Sequence, residues 1–267
     1  THGERLVTNG DLSVLDDQGN WASFSVQDKR SLEEEQRRMR TTRKFEEAGI
    51  GYELVVDLLQ NSFRLTLNLD EPLSRQMAGK VFFNLYFLPS AYERETIITD
   101  RQNMSICPAE STLITNDDGA PVSFAEGGEM ILASGDPHKK IRIRQEKGIM
   151  KMFDDRALGQ GKWYRLSSEI EPGSKENALV WEVDIHQIKE WVRPPVILHS
   201  QVGYHTDQKK EVLIELSRNE RYLDEVRLLR INSTGEEDVI LSGKPVYRGK
   251  FLRYHYYAFD FSGVKEE

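Results

Sequence analysis

The stretch Ser62–Leu69, SFRLTLNL, decides how this chain folds. Phe63, Leu65, Leu67 and Leu69 fall on one side of an extended backbone, and Arg64, Thr66 and Asn68 fall on the other, because successive strand side chains point to opposite faces. A helix would scatter those apolar residues around its circumference. The pattern therefore predicts an antiparallel strand with one face in a core and one in water. Working outward, strands are predicted at Gly51–Leu58 (GYELVVDL), Lys80–Phe87 (KVFFNLYF), Glu129–Ala133, Lys140–Gln145, Ile149–Asp155, Lys162–Ile170 and Ala178–Ile185. Asp117-Asp118-Gly119, Gly127-Gly128, Asp136-Pro137 and Pro172-Gly173 separate them as turns, and Asn9-Gly10 and Gln18-Gly19-Asn20 read as turns near the start. Many short strands so spaced predict an all-β fold, a large antiparallel β-sandwich. Ser31–Glu47 breaks the rhythm. Ser31 with Glu34 would make a capping box and Glu33 with Arg37 an i,i+4 pair, so this charged stretch reads as a solvated helix-like or extended segment, with a long polar strand as the second reading.

The chain has 267 residues, enough for two domains or one large β domain. Its 38% hydrophobic content, with 11 Phe, 10 Tyr and 4 Trp, can build real cores and argues against disorder. A net charge of −8 repels phosphate backbones, and no run of Lys and Arg makes a basic patch, so nucleic acid is excluded as the main partner. Neutral polysaccharide is indifferent to that sign. Cys107 stands alone, which excludes an intrachain disulfide and a Cys-based zinc site. No apolar run is long enough to predict a transmembrane segment. The chain opens on Thr1 rather than Met, as it would after removal of an export leader or in a trimmed chain. Pro194-Pro195 stop any helix and set an extended start to the next strand. The domain break is placed near Arg193, making 1–193 the large sandwich and 194–267 a small one.

Two further stretches, Val196–Leu216 (VILHSQVGYHTDQKKEVLIEL) and Tyr256–Val264 (YYAFDFSGV), frame that small domain. The short strand, the Gln201-Val202-Gly203-Tyr204 turn, the alternating strand and the terminal Asp260-Phe261-Ser262 resemble the immunoglobulin-like module that precedes the catalytic barrel of family 9 glycoside hydrolases, the cellulase-type enzymes. The resemblance covers the last quarter of the chain. It implies a small immunoglobulin-like β-sandwich, truncated at its C-terminal end if its last strand continues past Glu267. It further implies that the chain is the non-catalytic N-terminal part of an exported bacterial enzyme (periplasmic, cell-surface or secreted) of endo-β-glucanase type. The expected partners are then plant or microbial polysaccharide, through the parent enzyme, and a downstream barrel, by intramolecular contact. Family members invert the sugar with two carboxyl groups roughly 6.5–9.5 Å apart. Their catalytic base lies in an Asp-Ala-Gly-Asp segment absent from this sequence, so no catalytic residue is carried over. Gln201, Gly203, Tyr204, Asp260 and Ser262 are expected to serve architecture: Gly203 in a turn whose backbone conformation is costly for a residue with a Cβ, Tyr204 with its ring over the turn and its hydroxyl in water, Asp260 accepting hydrogen bonds from backbone amides or a hydroxyl. The alternative function is a stand-alone carbohydrate-binding or adhesion protein.

Other chemistry is sparse. Asp16-Asp17, Asp117-Asp118 and Asp154-Asp155 are adjacent acids, and neighbours on a strand point to opposite faces, which suits turns and caps rather than an acid pair. The last two are chemically compatible with calcium but lack the spacing of a binding loop, so no cofactor is called for. The six histidines, His2, His138, His186, His199, His205 and His255, show no ligand spacing. That leaves aromatic faces, which can stack on sugar rings. Trp181 lies in the apolar run ALVWEV and is expected in the core. Trp163 and Tyr164 follow GQGK, and one of the two must face away from the core, so this pair is the predicted carbohydrate contact.

Overall fold

The structure, a computed structural model, describes residues 5–21, 25–101, 104–111, 115–117, 119–158, 162–220 and 222–265. Strands account for 50% of it and helices for 4%, which makes the fold all-β. The chain divides into two units, Thr1–Ile188 and Lys189–Glu267.

In chain order the large unit contains β1 (Val7–Val14), β2 (Val26–Glu33), β3 (Arg38–Phe45), β4 (Ile50–Leu58), β5 (Ser62–Leu69), β6 (Val81–Phe87), β7 (Thr96–Thr99), β8 (Ser105–Ile106), β9 (Ala125–Gly127), β10 (Glu129–Leu132), β11 (Ile141–Gln145), β12 (Met150–Asp154), β13 (Tyr164–Glu169) and β14 (Leu179–Ile185). They form a five-stranded sheet, β1-β6-β13-β12-β9, and a nine-stranded sheet, β2-β3-β4-β5-β14-β11-β10-β7-β8. β5 behaves as its sequence predicts: Leu65, Leu67 and Leu69 are buried, and Leu65 and Leu67 pair with Trp181 and Leu179 on β14. Phe83 comes down from the five-stranded sheet edge-on to Trp181, with ring centroids 5.3 Å apart. Trp181 is 0% exposed, and its Nε1 donates to Gln145 Oε1 at 2.8 Å. Ser168, on the opposite sheet, donates its hydroxyl to the same oxygen. One amide thus satisfies the largest ring of the core and joins the two layers.

The outer face of the nine-stranded sheet carries charges that pair across strands. Arg40 bridges Glu33 (3.0 Å) and Glu53 (3.2 Å), Arg38 pairs with Asp57, and Glu182 takes both Arg64 (3.0 Å) and Arg144. These ladders explain where the helix-like reading of Ser31–Glu47 fails. The segment is the β2–β3 hairpin, with Arg37 N donating to Glu34 O at 3.1 Å in its turn, so the capping box does not form. Its arginines find acids on neighbouring strands at cross-strand distance, which local i,i+4 pairing cannot offer to both sides at once. Asn9-Gly10 is likewise no turn but the middle of β1. A Cβ on Gly10 would lie 2.3 Å from Leu85 Cδ2, so the glycine is there for close packing against β6.

The small unit contains β15 (Val196–Leu198), β16 (Glu211–Leu216), β17 (Val226–Ile231), β18 (Glu237–Gly243), β19 (Val246–Phe251) and β20 (Tyr254–Asp260). A four-stranded sheet, β15-β16-β20-β19, accompanies the β17–β18 hairpin, and Ile214, Leu216, Tyr257 and Phe259 form the core with Val226 and Leu241 packed against them. Arg193 belongs to this unit: it pairs with Glu215 on β16 and lies 4.6 Å from the Tyr254 ring centroid.

Gln145→Leu should destabilise the large unit by about 2–4 kcal/mol, because it leaves the Trp181 N–H and the Ser168 hydroxyl without their acceptor in a dry core. Urea unfolding monitored by tryptophan fluorescence checks this.

Candidate functional site

The alternation that sends Phe83 and Phe87 inward on β6 sends Phe82, Asn84 and Tyr86 to the outer face of the five-stranded sheet. Register then lines up rows across four strands. One runs Asp11–Asn84–Ser167–Lys151, and its neighbour runs Asn9–Tyr86–Arg165–Phe153. Trp21 arrives from the loop after β1 and meets Phe82 edge-on at 5.9 Å.

Arg165 organises this face. Its guanidinium lies 4.5 Å from the Phe153 centroid and 5.4 Å from that of Trp21. Asp155 grips it at two points, Nε to Oδ2 at 2.5 Å and Nη2 to Oδ1 at 3.2 Å. Both charges are buried, and bidentate geometry holds the planar group in one orientation between the rings. At the other end of the face Asp11 is bound by Arg43 (3.2 Å), the Ser25 hydroxyl (3.1 Å) and the Tyr52 hydroxyl. Burial, with Asp11 beside it, pushes the Tyr52 hydroxyl far above the ordinary tyrosine range, so it stays a donor. Between these clusters sits Asn84, 0% exposed, with neither Nδ2 nor Oδ1 partnered.

The face therefore combines ring surfaces with planar hydrogen-bonding groups, and the buried Asp155 and half-buried Asp11 are each paired with an arginine. Such a surface can stack on the C–H side of a sugar ring and hydrogen-bond its hydroxyls. A groove of about 560 Å³ at one end of the sandwich, lined by Lys147, Gly148, Glu171, Gly173, Lys175 and Asn177 among others, holds no aromatic ring.

Of the two predicted sugar contacts, Tyr164 points into the sandwich. It is 1% exposed, its ring meets Phe124 at 5.8 Å, and its hydroxyl donates to Pro108 O at 2.5 Å, so it presents no face to a ligand. Trp163 is half-buried, its carbonyl accepts from Asp155 N at 3.1 Å, and strand alternation puts it on the side of Arg165. Sequence reasoning missed Phe82, Asn84, Phe153 and Arg165, and counted Trp21 among the aromatic platforms without singling it out. KVFFNLYF held the signal for Phe82 and Asn84, whose side chains fall opposite Phe83 and Phe87; nothing in the sequence announced that Trp21 would arrive from its loop.

The adjacent acids Asp154 and Asp155 part company. Asp154 pairs with Arg156 at 2.7 Å and Asp155 with Arg165 at 2.5 Å. Asp118 and His2 lie outside the described residues. Among the described residues no three His, Cys, Asp or Glu converge as they would around a metal ion. Cys107 is buried, and burial, with Glu95 nearby, pushes its thiol up to about 12, which keeps it protonated and unreactive.

In the small unit the motif residues form one hydrogen-bonded knot. The Tyr204 hydroxyl accepts from Ser200 N and donates to Glu211 O, both at 3.0 Å, rather than remaining in water, and its ring packs edge-on to Phe261 at 5.0 Å. Asp260 Oδ1 accepts from Ser262 N at 2.8 Å, and the bonds from Ser262 hold its carboxyl below the ordinary range. The Ser262 hydroxyl accepts from Lys210 N at 2.9 Å, while the buried Lys210 ammonium donates to Thr206 O (3.0 Å) and Val264 O. Gln201 is exposed in the turn, and Gly203 has φ +80° with open space where a Cβ would stand.

No protein-family model matches the chain, and a search of curated proteins returns no match.

Asp155→Ala should destabilise the large unit by about 3–5 kcal/mol, because a buried guanidinium loses its counter-charge. Asp154→Ala supplies the comparison in the same thermal melts. Gly203→Ala should cost about 1 kcal/mol from the left-handed backbone alone, read as a lowered unfolding midpoint of the small unit.

Proposed function

We propose that the chain is a non-catalytic, glycan-binding accessory region of an exported, family 9-like polysaccharide hydrolase. The large sandwich holds the polysaccharide on the outer face of its five-stranded sheet. The small unit, read as immunoglobulin-like, buttresses a downstream catalytic barrel. The observation that carries this reading is the Trp21–Arg165–Phe153 stack, set beside Tyr86 and Asn84 on an otherwise charge-balanced sheet face. Rings held rigidly by a paired guanidinium lose little freedom when a sugar stacks on them, which favours binding. Neutral saccharide suits the face because Asp11 and Asp155 already have cationic partners. The absence of an Asp-Ala-Gly-Asp segment, and the engagement of Asp154 and Asp155 by arginines, support a binding role without hydrolysis.

Affinity electrophoresis and calorimetry with soluble mixed-linkage β-glucan and xyloglucan test this. The chain should bind at least one of them without releasing reducing sugar. Trp21→Ala should weaken that binding by about tenfold, the equivalent of one lost stacking contact. Sustained hydrolysis, or binding that ignores Trp21→Ala and Phe153→Ala alike, would overturn the proposal.

A further inference from the structure

Asn84 has no evident structural reason to be an asparagine. It is 0% exposed, and among the described residues it is the one with two buried side-chain polar atoms lacking any partner. Buried amides are almost always hydrogen-bonded, because leaving them unpaired opposes folding. Its neighbours in the row do not supply the bonds. Asp11 is engaged by Arg43, Ser25 and Tyr52, and Ser167 pairs with Asn84 only by strand register. Phe82 and Tyr86 stand two residues to either side on the same face of β6.

We infer that Asn84 is the hydroxyl-binding anchor of this face, its Oδ1 and Nδ2 engaging two adjacent hydroxyls of a neutral sugar ring. A carboxamide presents an acceptor and a donor side by side in one plane. A vicinal diol offers the complement, one hydroxyl donating and its neighbour accepting. Hydroxyls are specified rather than a carboxylate because the guanidinium of the neighbouring row, Arg165, is already gripped by Asp155. Solvent does not reach the amide, so engagement requires the side chains over it to turn aside. Side-chain rotations of this kind are common at binding surfaces. The inference rests on the glycan-binding reading of the face.

The test compares wild type, Asn84→Leu, Asn84→Ala and Trp21→Ala in the full chain, by thermal melting and by calorimetry with mixed-linkage β-glucan and xyloglucan. Asn84→Leu keeps the branching and heavy-atom count and removes the unpaired amide, so its melting temperature should equal or exceed that of wild type while binding weakens by at least about tenfold. Asn84→Ala, which cannot clash, should show the same loss of binding. A residue kept for stability would give the opposite pair: lowered melting temperature and unchanged affinity. If Trp21→Ala weakens binding and both Asn84 variants bind as wild type does, the anchor role falls and the glycan-binding reading stands. If wild type binds neither polysaccharide, both fall.

Discussion

The large unit depends on one buried amide. Gln145 accepts hydrogen bonds from Trp181 of its own sheet and Ser168 of the other, and its Nε2 turns back to the Lys147 carbonyl. A tryptophan is costly to bury unless its N–H is satisfied. By satisfying it with a residue that also reaches the opposite sheet, the fold fixes the position of β13 over β11. Phe83 then finds the Trp181 edge, and the outward residues of β6 and β13 fall into register on the far side. The outer face that binds the Arg165 stack is in this sense the reverse of the core.

The two outer faces of the sandwich differ in kind. On the nine-stranded sheet the charges form mutual ladders at modest burial, worth little individually, that keep a wide face solvated. On the five-stranded sheet the Asp155–Arg165 pair is buried and bidentate, and it serves to hold aromatic rings. The first arrangement gives solubility. The second gives a pre-organised surface.

The small unit is held differently again. Its core is short, and polar bonds do much of the positioning around the Gly203 turn and the end of β20. Lys210 illustrates this: its backbone receives Phe261 N and reaches Ser262, and its ammonium ties down the Thr206 and Val264 carbonyls. Two backbone carbonyls close on one side chain that the sequence does not distinguish from the adjacent Lys209.

The sequence by itself determined the all-β class, the strands β4, β5, β6 and β10 to β14, and the burial of Trp181, because side-chain alternation and turn chemistry are local properties of an extended chain; the short strands β7, β8 and β9 carried no such signal. It also marked Trp163 and Tyr164 as a pair that must split between core and surface, without saying which went where. Only the tertiary structure decided that Tyr164 faces inward, that Ser31–Glu47 is a hairpin, and that Asp155 closes on Arg165. Each of these depends on a partner distant along the chain: Pro108 for Tyr164, Glu53 and Asp57 for the arginines of β3, Trp21 and Phe153 for Arg165. Strand register sets such partners, and register is fixed by the packing of two whole sheets, not by any single stretch of sequence.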